Sequence, residues 1–282
     1  MAVTSEASLR YSTHPLDKYL RADRLPHIWC SGCGIGVALG SILRAIDRRV
    51  REGSLDPSKV VFVTGIGCSA RASFYVGFDS AHTIHGRAIA FASGAKLANP
   101  ELQVMVVGGD GDIAGIGGNH LIHAARRNLD IIVFMITNFV YAMTGGQLAP
   151  TTPQGLYTTT TPHGNPERPL NVIKLVSALM PNYVARASIT HPPLIEQYTY
   201  KALGMEGFRF IEIMSTCPEV FGRHAGYRDP VTLYNVLRSK VRVKQNPHVD
   251  ESELSWESGI VLGEYLIRNE PGYVRKLKEV VR

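Results

Sequence analysis

Short, continuously apolar runs that stop at glycine or at a polar residue, alternating with amphipathic helical stretches, constrain this chain more than any other feature. VVFVTGIG (60–67), QVMVVGG (103–109), DIIVFMITN (130–138) and FRFIEIMS (208–215) have the β-branched content and length of strands. Between them, Ile35, Leu39, Ile42, Leu43, Ile46 and Val50 share one helical face. Further helices are expected over 85–98, 116–127, 170–180 and 193–204. Strands without polar alternation must be buried on both faces. The pattern therefore predicts an α/β fold, a doubly wound, mostly parallel sheet covered by helices on each side. Ligands of such sheets bind at the carboxyl ends of the strands. The loops TGIGCSAR, GGDGD, NFVYAMTGG and TCPEV all leave that edge and are expected to converge on one site.

The rest of the chain frames that unit. Residues 1–24 read as a polar lead-in, 25–225 as the site-bearing domain and 226–282 as a C-terminal arm of two helical patches around a charged, Pro-containing linker. At 282 residues with 45% hydrophobic and 19% charged side chains, the chain has ample material for a core and is not disordered. No stretch reaches the roughly 18 uninterrupted apolar residues of a membrane span. The first residues lack a secretory h-region, so a cytoplasmic location is expected by default. The net charge is +6. Its clusters, Arg44, Arg48, Arg49 and Arg51, then Arg126 and Arg127, fall at helix ends, where arginine complements the dipole. No nucleic-acid motif accompanies them, and an acidic protein partner is the better use of that sign.

Gly108-Gly109-Asp110-Gly111-Asp112 follows a strand and opens toward a helix. Glycines there let backbone N–H groups approach a phosphate, and a helix start favours anions. A carboxylate in that setting needs a hard cation between it and the phosphates; Mg²⁺ or Ca²⁺ with oxygen ligands supplies the bridge. The strand at 130–138 delivers Asn138 to the same edge, and its amide oxygen with the carbonyl of Val140 would complete the protein's ligand set. On its own the Gly-Asp-Gly triplet is better read as a tight turn with aspartate caps; Asn138 tips the balance to a diphosphate–metal site.

Of four cysteines, Cys68 and Cys217 sit just past strands on that edge, and Cys30 and Cys33 form a CxxC in WCSGCG. Four thiolates around one point suit Zn²⁺ or an iron–sulfur cluster. Zinc would typically come with two paired knuckles, and four unrelated buried thiols are the bland alternative.

Gly109-Asp110-Gly111 with Asn138 resembles the thiamine diphosphate signature. The longer strings GDGDIAGIGGNHLIHAARRN and NFVYAMTGGQLAPTTP are similar to the β subunit of 2-oxoacid:ferredoxin oxidoreductases. The likeness runs from about Trp29 to about Pro218. It implies that Asp110, Asn138 and the Val140 carbonyl hold Mg²⁺, and that Gly111, Asp112, Ala142 and Met143 line the diphosphate end of thiamine diphosphate. Ile66, Gly67, Cys68, Ser69, His85 and Gly86 would line the ring end. It also implies that Cys30, Cys33, Cys68 and Cys217 ligate one [4Fe–4S] cluster close to the cofactor. Arg71, at the mouth of the expected site, would pair with a substrate carboxylate or a CoA phosphate; many relatives carry Lys there, and Arg points to a dicarboxylic 2-oxo acid.

Thr144, Gln147 and Thr151 lie in a long polar loop, either a cover for the site or a connection. His82, His120 and His123 are candidate general acids or bases, but His120 and His123, three apart on one helical face, read first as packing or capping residues. No glutamate is placed against the aminopyrimidine ring. In this family it comes from an α subunit, which would make the chain one half of an αβ or (αβ)₂ enzyme with 226–282 as its docking arm. The implied activity is conversion of a 2-oxo acid, 2-oxoglutarate by preference, with CoA and oxidised ferredoxin to acyl-CoA, CO₂ and reduced ferredoxin, open to the reductive direction. The rivals are a pyruvate or broad-specificity enzyme of the same kind, a cluster-free thiamine-dependent decarboxylase, and a zinc-stapled binding module.

Overall fold

The structure, a computed structural model, describes residues 14–256 and 258–281. Its spine is an eight-stranded sheet. In chain order the strands are β1 (Val60–Thr64), β2 (Asp79–His82), β3 (Gln103–Gly109), β4 (Ile132–Thr137), β7 (Tyr183–Ser188), β8 (Arg209–Met214), β9 (Val241–Val243) and β10 (Ile260–Ile267). A separate ribbon pairs β5 (Val140–Tyr141) with β6 (Gln147–Leu148). The sheet order is β2-β1-β3-β4-β8-β7-β10-β9. All neighbours run parallel except β10, which lies antiparallel to β7.

Helices cover both faces. Phe62, Met105, Ile132, Phe134 and Ile136 share one core with Ile35, Leu39, Ile42 and Ile46 of α1 (Ile35–Arg51), and with Ile195 and Ala202 of α6 (Pro192–Leu203). The alternate residues Val63, Val104, Val106, Val133 and Met135 meet α3 (Ala88–Ala98), α4 (Gly118–Arg126) and α5 (Val172–Ala178). Each strand thus feeds two cores, which is why its sequence shows no polar alternation. Truncating Ile42, fully buried on α1, to alanine would cost about 2–5 kcal/mol. The arginines of α1 are mostly engaged locally: Arg44 pairs with Glu196, Arg48 with Glu52 and Arg51 with Asp47, while Arg49 donates to the Tyr200 carbonyl.

The expected elements differ from the structure most in three places. β7 lies where only a helix–helix connection was expected. Its central Arg186 breaks the apolar run, yet is fully buried because its Nε donates to Glu212 on β8 at 2.7 Å. The helix expected from 116 begins earlier, as a π-helical turn over Gly111–Ile116 in which the Gly117 N–H donates to the Asp112 carbonyl, before α4. Such turns concentrate at functional sites. Finally, 226–282 is not a detached arm. After α7 (Pro230–Lys240), β9 and β10 extend the main sheet, and α8 (Tyr273–Val280) follows. Leu262, fully buried, belongs to the same core as α1. The Gly and Glu inside IVLGEYLI hid this strand from a periodicity reading. Among the described residues no helix is long and apolar enough to cross a membrane.

Candidate cofactor and thiol site

The loops after β1, β3, β4 and β8 meet at the carboxyl edge, as the parallel topology requires. Asp110, one residue past β3, is almost fully buried. Its carboxylate accepts from the N–H of Gly111 at 3.1 Å, from the N–H of Phe139 at 2.9 Å and from the Thr151 hydroxyl. Burial pushes this carboxyl up to about 6 against the lowering effect of those donors. Asn138 follows β4 directly; its Oδ1 accepts from the Val140 N–H at 3.2 Å. Between them Phe139 adopts φ 71°, a left-handed conformation that costs a non-glycine residue about 1–3 kcal/mol unless its surroundings hold it. That turn sets the Asn138 amide and the start of β5 on the same side as Asp110.

Asp112 ties the ring-end loops together. Its Oδ1 accepts from the Gly86 N–H at 2.7 Å, lies 2.6 Å from His85 Nδ1 and is 3.4 Å from the Ile66 nitrogen. Its Oδ2 is buried with no partner among the described residues. A Cβ at Gly65 would overlap this carboxylate, and one at Gly108 would come within 2.8 Å of Oδ2. These glycines are needed for the close approach, as a phosphate-type loop demands.

One cleft of 90 Å³ is lined by Ile66, Gly67, Cys68 and Ser69 after β1, by His85, by Gly109 to Asp112 after β3, and by Asn138 and Val140 to Thr144 after β4. It brings together every expected diphosphate, ring-end and Mg²⁺ residue except Gly86, whose N–H reaches it through Asp112. A second cavity, of 260 Å³, is lined by all four cysteines and by Arg71. Cys68, Asn138, Ala142 and Met143 stand in both walls.

The CxxC loop is turned by Gly32 at φ 75°, where a Cβ would overlap Pro230; the Gly32 carbonyl accepts from the Thr216 hydroxyl beside Cys217 at 2.7 Å. Trp29 donates its indole N–H to the Cys68 carbonyl at 2.8 Å. The four thiols are free. Burial pushes Cys33 up to about 12 and raises Cys68 and Cys217, with the neighbouring thiols adding to the rise. Thiolates gathered in such a place need a cationic centre. Tetrahedral zinc with bonds of about 2.3 Å would draw sulfurs to within about 4 Å of one another. Among the described residues no three His, Cys, Asp or Glu side chains form a group for a single ion.

The loop residues fare differently. Thr144 lines the cleft and bonds Gln147, whereas Thr151 lies beneath the site as the Asp110 donor. Thr152, beside it, donates to the Phe139 carbonyl at 2.5 Å. His82 sits near the Thr64 hydroxyl and His120 beside Arg87, outside both cavities. Sequence reasoning missed Tyr141, whose hydroxyl donates to the Gly111 carbonyl at 3.2 Å, and the aromatic group around Phe139. Among the described residues no glutamate lines the cleft.

Comparison with known proteins agrees with this geometry. Residues 58–213 match the family model described as thiamine pyrophosphate enzyme, C-terminal TPP binding domain. The chain is 43% identical over 268 residues to the 2-oxoglutarate synthase subunit KorB of Methanocaldococcus jannaschii, covering 95% of this chain and 97% of that one. It is 46% identical over 233 residues to the KorB subunit of Archaeoglobus fulgidus, covering 83% and 84%. It superposes with a TM-score of 0.82 and 29% identity, over 96% of this chain and 91% of the other, on the 2-oxoglutarate:ferredoxin oxidoreductase of Magnetococcus marinus solved with 2-oxoglutarate, coenzyme A and succinyl-CoA bound. The chain belongs to the thiamine pyrophosphate enzymes and, within them, to the KorB-type β subunits of 2-oxoacid:ferredoxin oxidoreductases.

Proposed function

We propose that this chain is the β subunit of a 2-oxoglutarate:ferredoxin oxidoreductase, converting 2-oxoglutarate, CoA and oxidised ferredoxin to succinyl-CoA, CO₂ and reduced ferredoxin. The observation that carries this is the shared wall: Cys68, Asn138, Ala142 and Met143 border both the diphosphate cleft and the four-thiol cavity. Carbanion chemistry and one-electron chemistry would then occur within a side chain's reach of each other. The substrate choice follows the names of the KorB relatives and the ligands of the solved neighbour.

Thiamine diphosphate, when bound, would supply the nucleophilic thiazolium carbon and the electron sink that decarboxylation of a 2-oxo acid requires. Asp110, Asn138 and the Val140 carbonyl would hold Mg²⁺, an all-oxygen set that suits this cation, and the Gly111 backbone would approach the diphosphate. Asp112 fixes the His85 ring and the Gly86 turn, and so orients the ring end. Cys30, Cys33, Cys68 and Cys217 would hold a [4Fe–4S] cluster. Arg71, half-buried in the thiol cavity wall, offers a guanidinium fork to a substrate carboxylate or a CoA phosphate. The cleft would line the diphosphate end and one side of the ring end of the cofactor. The remaining wall, and the glutamate the cleft lacks, would come from the α subunit that the KorB subunit name implies.

The test is an anaerobic assay of the chain co-purified with its partner, with 2-oxoglutarate or pyruvate, CoA and a ferredoxin or viologen acceptor. CoA-dependent reduction favouring 2-oxoglutarate is expected. No reduction with either acid, in a preparation loaded with thiamine diphosphate, overturns the proposal. Arg71→Ala should raise KM for 2-oxoglutarate more than for pyruvate; equal losses on both sink the carboxylate role.

A further inference from the structure

Phe139 is the most constrained residue of the metal loop. It holds φ 71° between the two expected ligands Asn138 and Val140, its N–H donates to Asp110 and its carbonyl accepts from Thr152. A bulky aromatic residue in the left-handed region relaxes unless something outside the loop holds it. Asp110 and Thr152 hold its backbone, and its ring is held from farther along the chain. Its ring, 1% exposed, lies 5.1 Å from the ring of Phe221 and 5.6 Å from the indole of Trp256, the latter edge-on at 80°. Trp256 and Phe221 are themselves 5.2 Å apart at 72°. The three rings form a closed cluster, two of them beyond residue 213, where the match to the thiamine pyrophosphate family model ends.

We propose that Trp256 is a positioning residue for the diphosphate–metal loop: its indole caps the Phe139 ring, holds that residue left-handed and so keeps the Asn138 amide and the Val140 carbonyl facing Asp110. The segment 226–282 thereby acts on the cofactor site as well as extending the sheet. This rests on the Mg²⁺ role given to Asp110, Asn138 and Val140. The edge-to-face contact of the Trp256 indole with the Phe139 ring stabilises beyond burial alone and offsets part of the backbone cost at Phe139.

The test measures Mg²⁺-dependent thiamine diphosphate affinity by calorimetry on the enzyme with its partner subunit, stripped of cofactor, for wild type, Trp256→Ala, Trp256→Phe, Phe139→Gly and the double variant Phe139→Gly/Trp256→Ala. Trp256→Ala should weaken affinity about tenfold, as an unrestrained left-handed residue would. Trp256→Phe should recover most of it. Glycine adopts positive φ without cost, so in the Phe139→Gly background the Trp256→Ala change should add nothing. A Trp256→Ala enzyme that loses thermal stability yet binds as wild type does, or that loses the same factor in the Phe139→Gly background, overturns the proposal. Should Trp256→Ala fail to assemble, Trp256→Phe against Trp256→Leu decides: equal affinity for the two overturns it. Wild-type affinity indifferent to Mg²⁺, or Mg²⁺ dependence surviving Asp110→Asn, overturns instead the metal role beneath it.

Discussion

Thr151→Val changes one atom group at the base of the site. Thr151 is fully buried, and its hydroxyl is one of three donors to the nearly inaccessible Asp110 carboxylate, with the Gly111 and Phe139 N–H groups. Valine keeps the shape and leaves no cavity, so the cost is the lost donor alone. A hydrogen bond to a charged group nets about 1.5–3 kcal/mol. At roughly 2–4 °C per kcal/mol for a chain of this size, Tm should fall by about 3–12 °C. Thr151→Ser keeps the donor and removes one methyl, which costs about 0.8 kcal/mol, roughly a quarter to a half as much. The assay is thermal unfolding of the chain with its partner subunit after chelator treatment, at neutral pH. Adding Mg²⁺ and thiamine diphosphate should narrow the gap, because a cation on Asp110 supplies part of the stabilisation the hydroxyl gave. A Thr151→Val variant within about 1–2 °C of wild type, roughly the 0.5 kcal/mol of a surface change, or a less stable Thr151→Ser, would show that Asp110 does not depend on this donor.

Other outcomes follow from the same contacts. Arg186→Met leaves Glu212 buried with only the Thr137 hydroxyl, at 2.8 Å, and should cost about 3–5 kcal/mol in urea unfolding. Adding Glu212→Leu should recover most of that, and a double variant as unstable as the single one would refute the pairing account. If the four cysteines hold the proposed [4Fe–4S] cluster, Cys217→Ser should abolish its visible absorption and ferredoxin reduction while leaving thiamine diphosphate binding within a fewfold of wild type; retained reduction would remove Cys217 from the proposed electron path. Chelation of Mg²⁺ should release thiamine diphosphate from the wild-type enzyme, measured in the ultrafiltrate, and cofactor retained in full would contradict an Asp110–Asn138 metal site.

Much of the fold could be read from the sequence because its signals are local. The strand at 103–109 is confined by glycine and polar neighbours, and its burial on both faces shows as an unbroken apolar run; the structure places it over the same residues. The loops of the site were found because parallel topology sends every carboxyl end to one edge, so Asp110, Asn138, Cys68 and Cys217 had to approach one another. What escaped depends on partners distant in sequence. The charge of Arg186 argues for a surface until Glu212, 26 positions later, is known to face it. Thr151 looks like any loop threonine until Asp110 is beneath it, 41 positions earlier. The strand Ile260–Ile267 carries Gly263 and Glu264 and pairs with a strand that was itself missed, so one omission concealed the other. Trp256 carried no local signal at all, since its meaning lies in the backbone of Phe139.

The proposed reaction requires the diphosphate cleft and a cluster-holding thiol cavity to be joined in one chain. Iron, zinc and acid-labile sulfide, determined on protein purified anaerobically with its partner subunit, decide whether they are. About four iron and four sulfide per β chain, the composition of one [4Fe–4S] cluster, is the expected result. One zinc and no sulfide would reduce the four cysteines to a structural staple and remove the electron path from the proposed reaction.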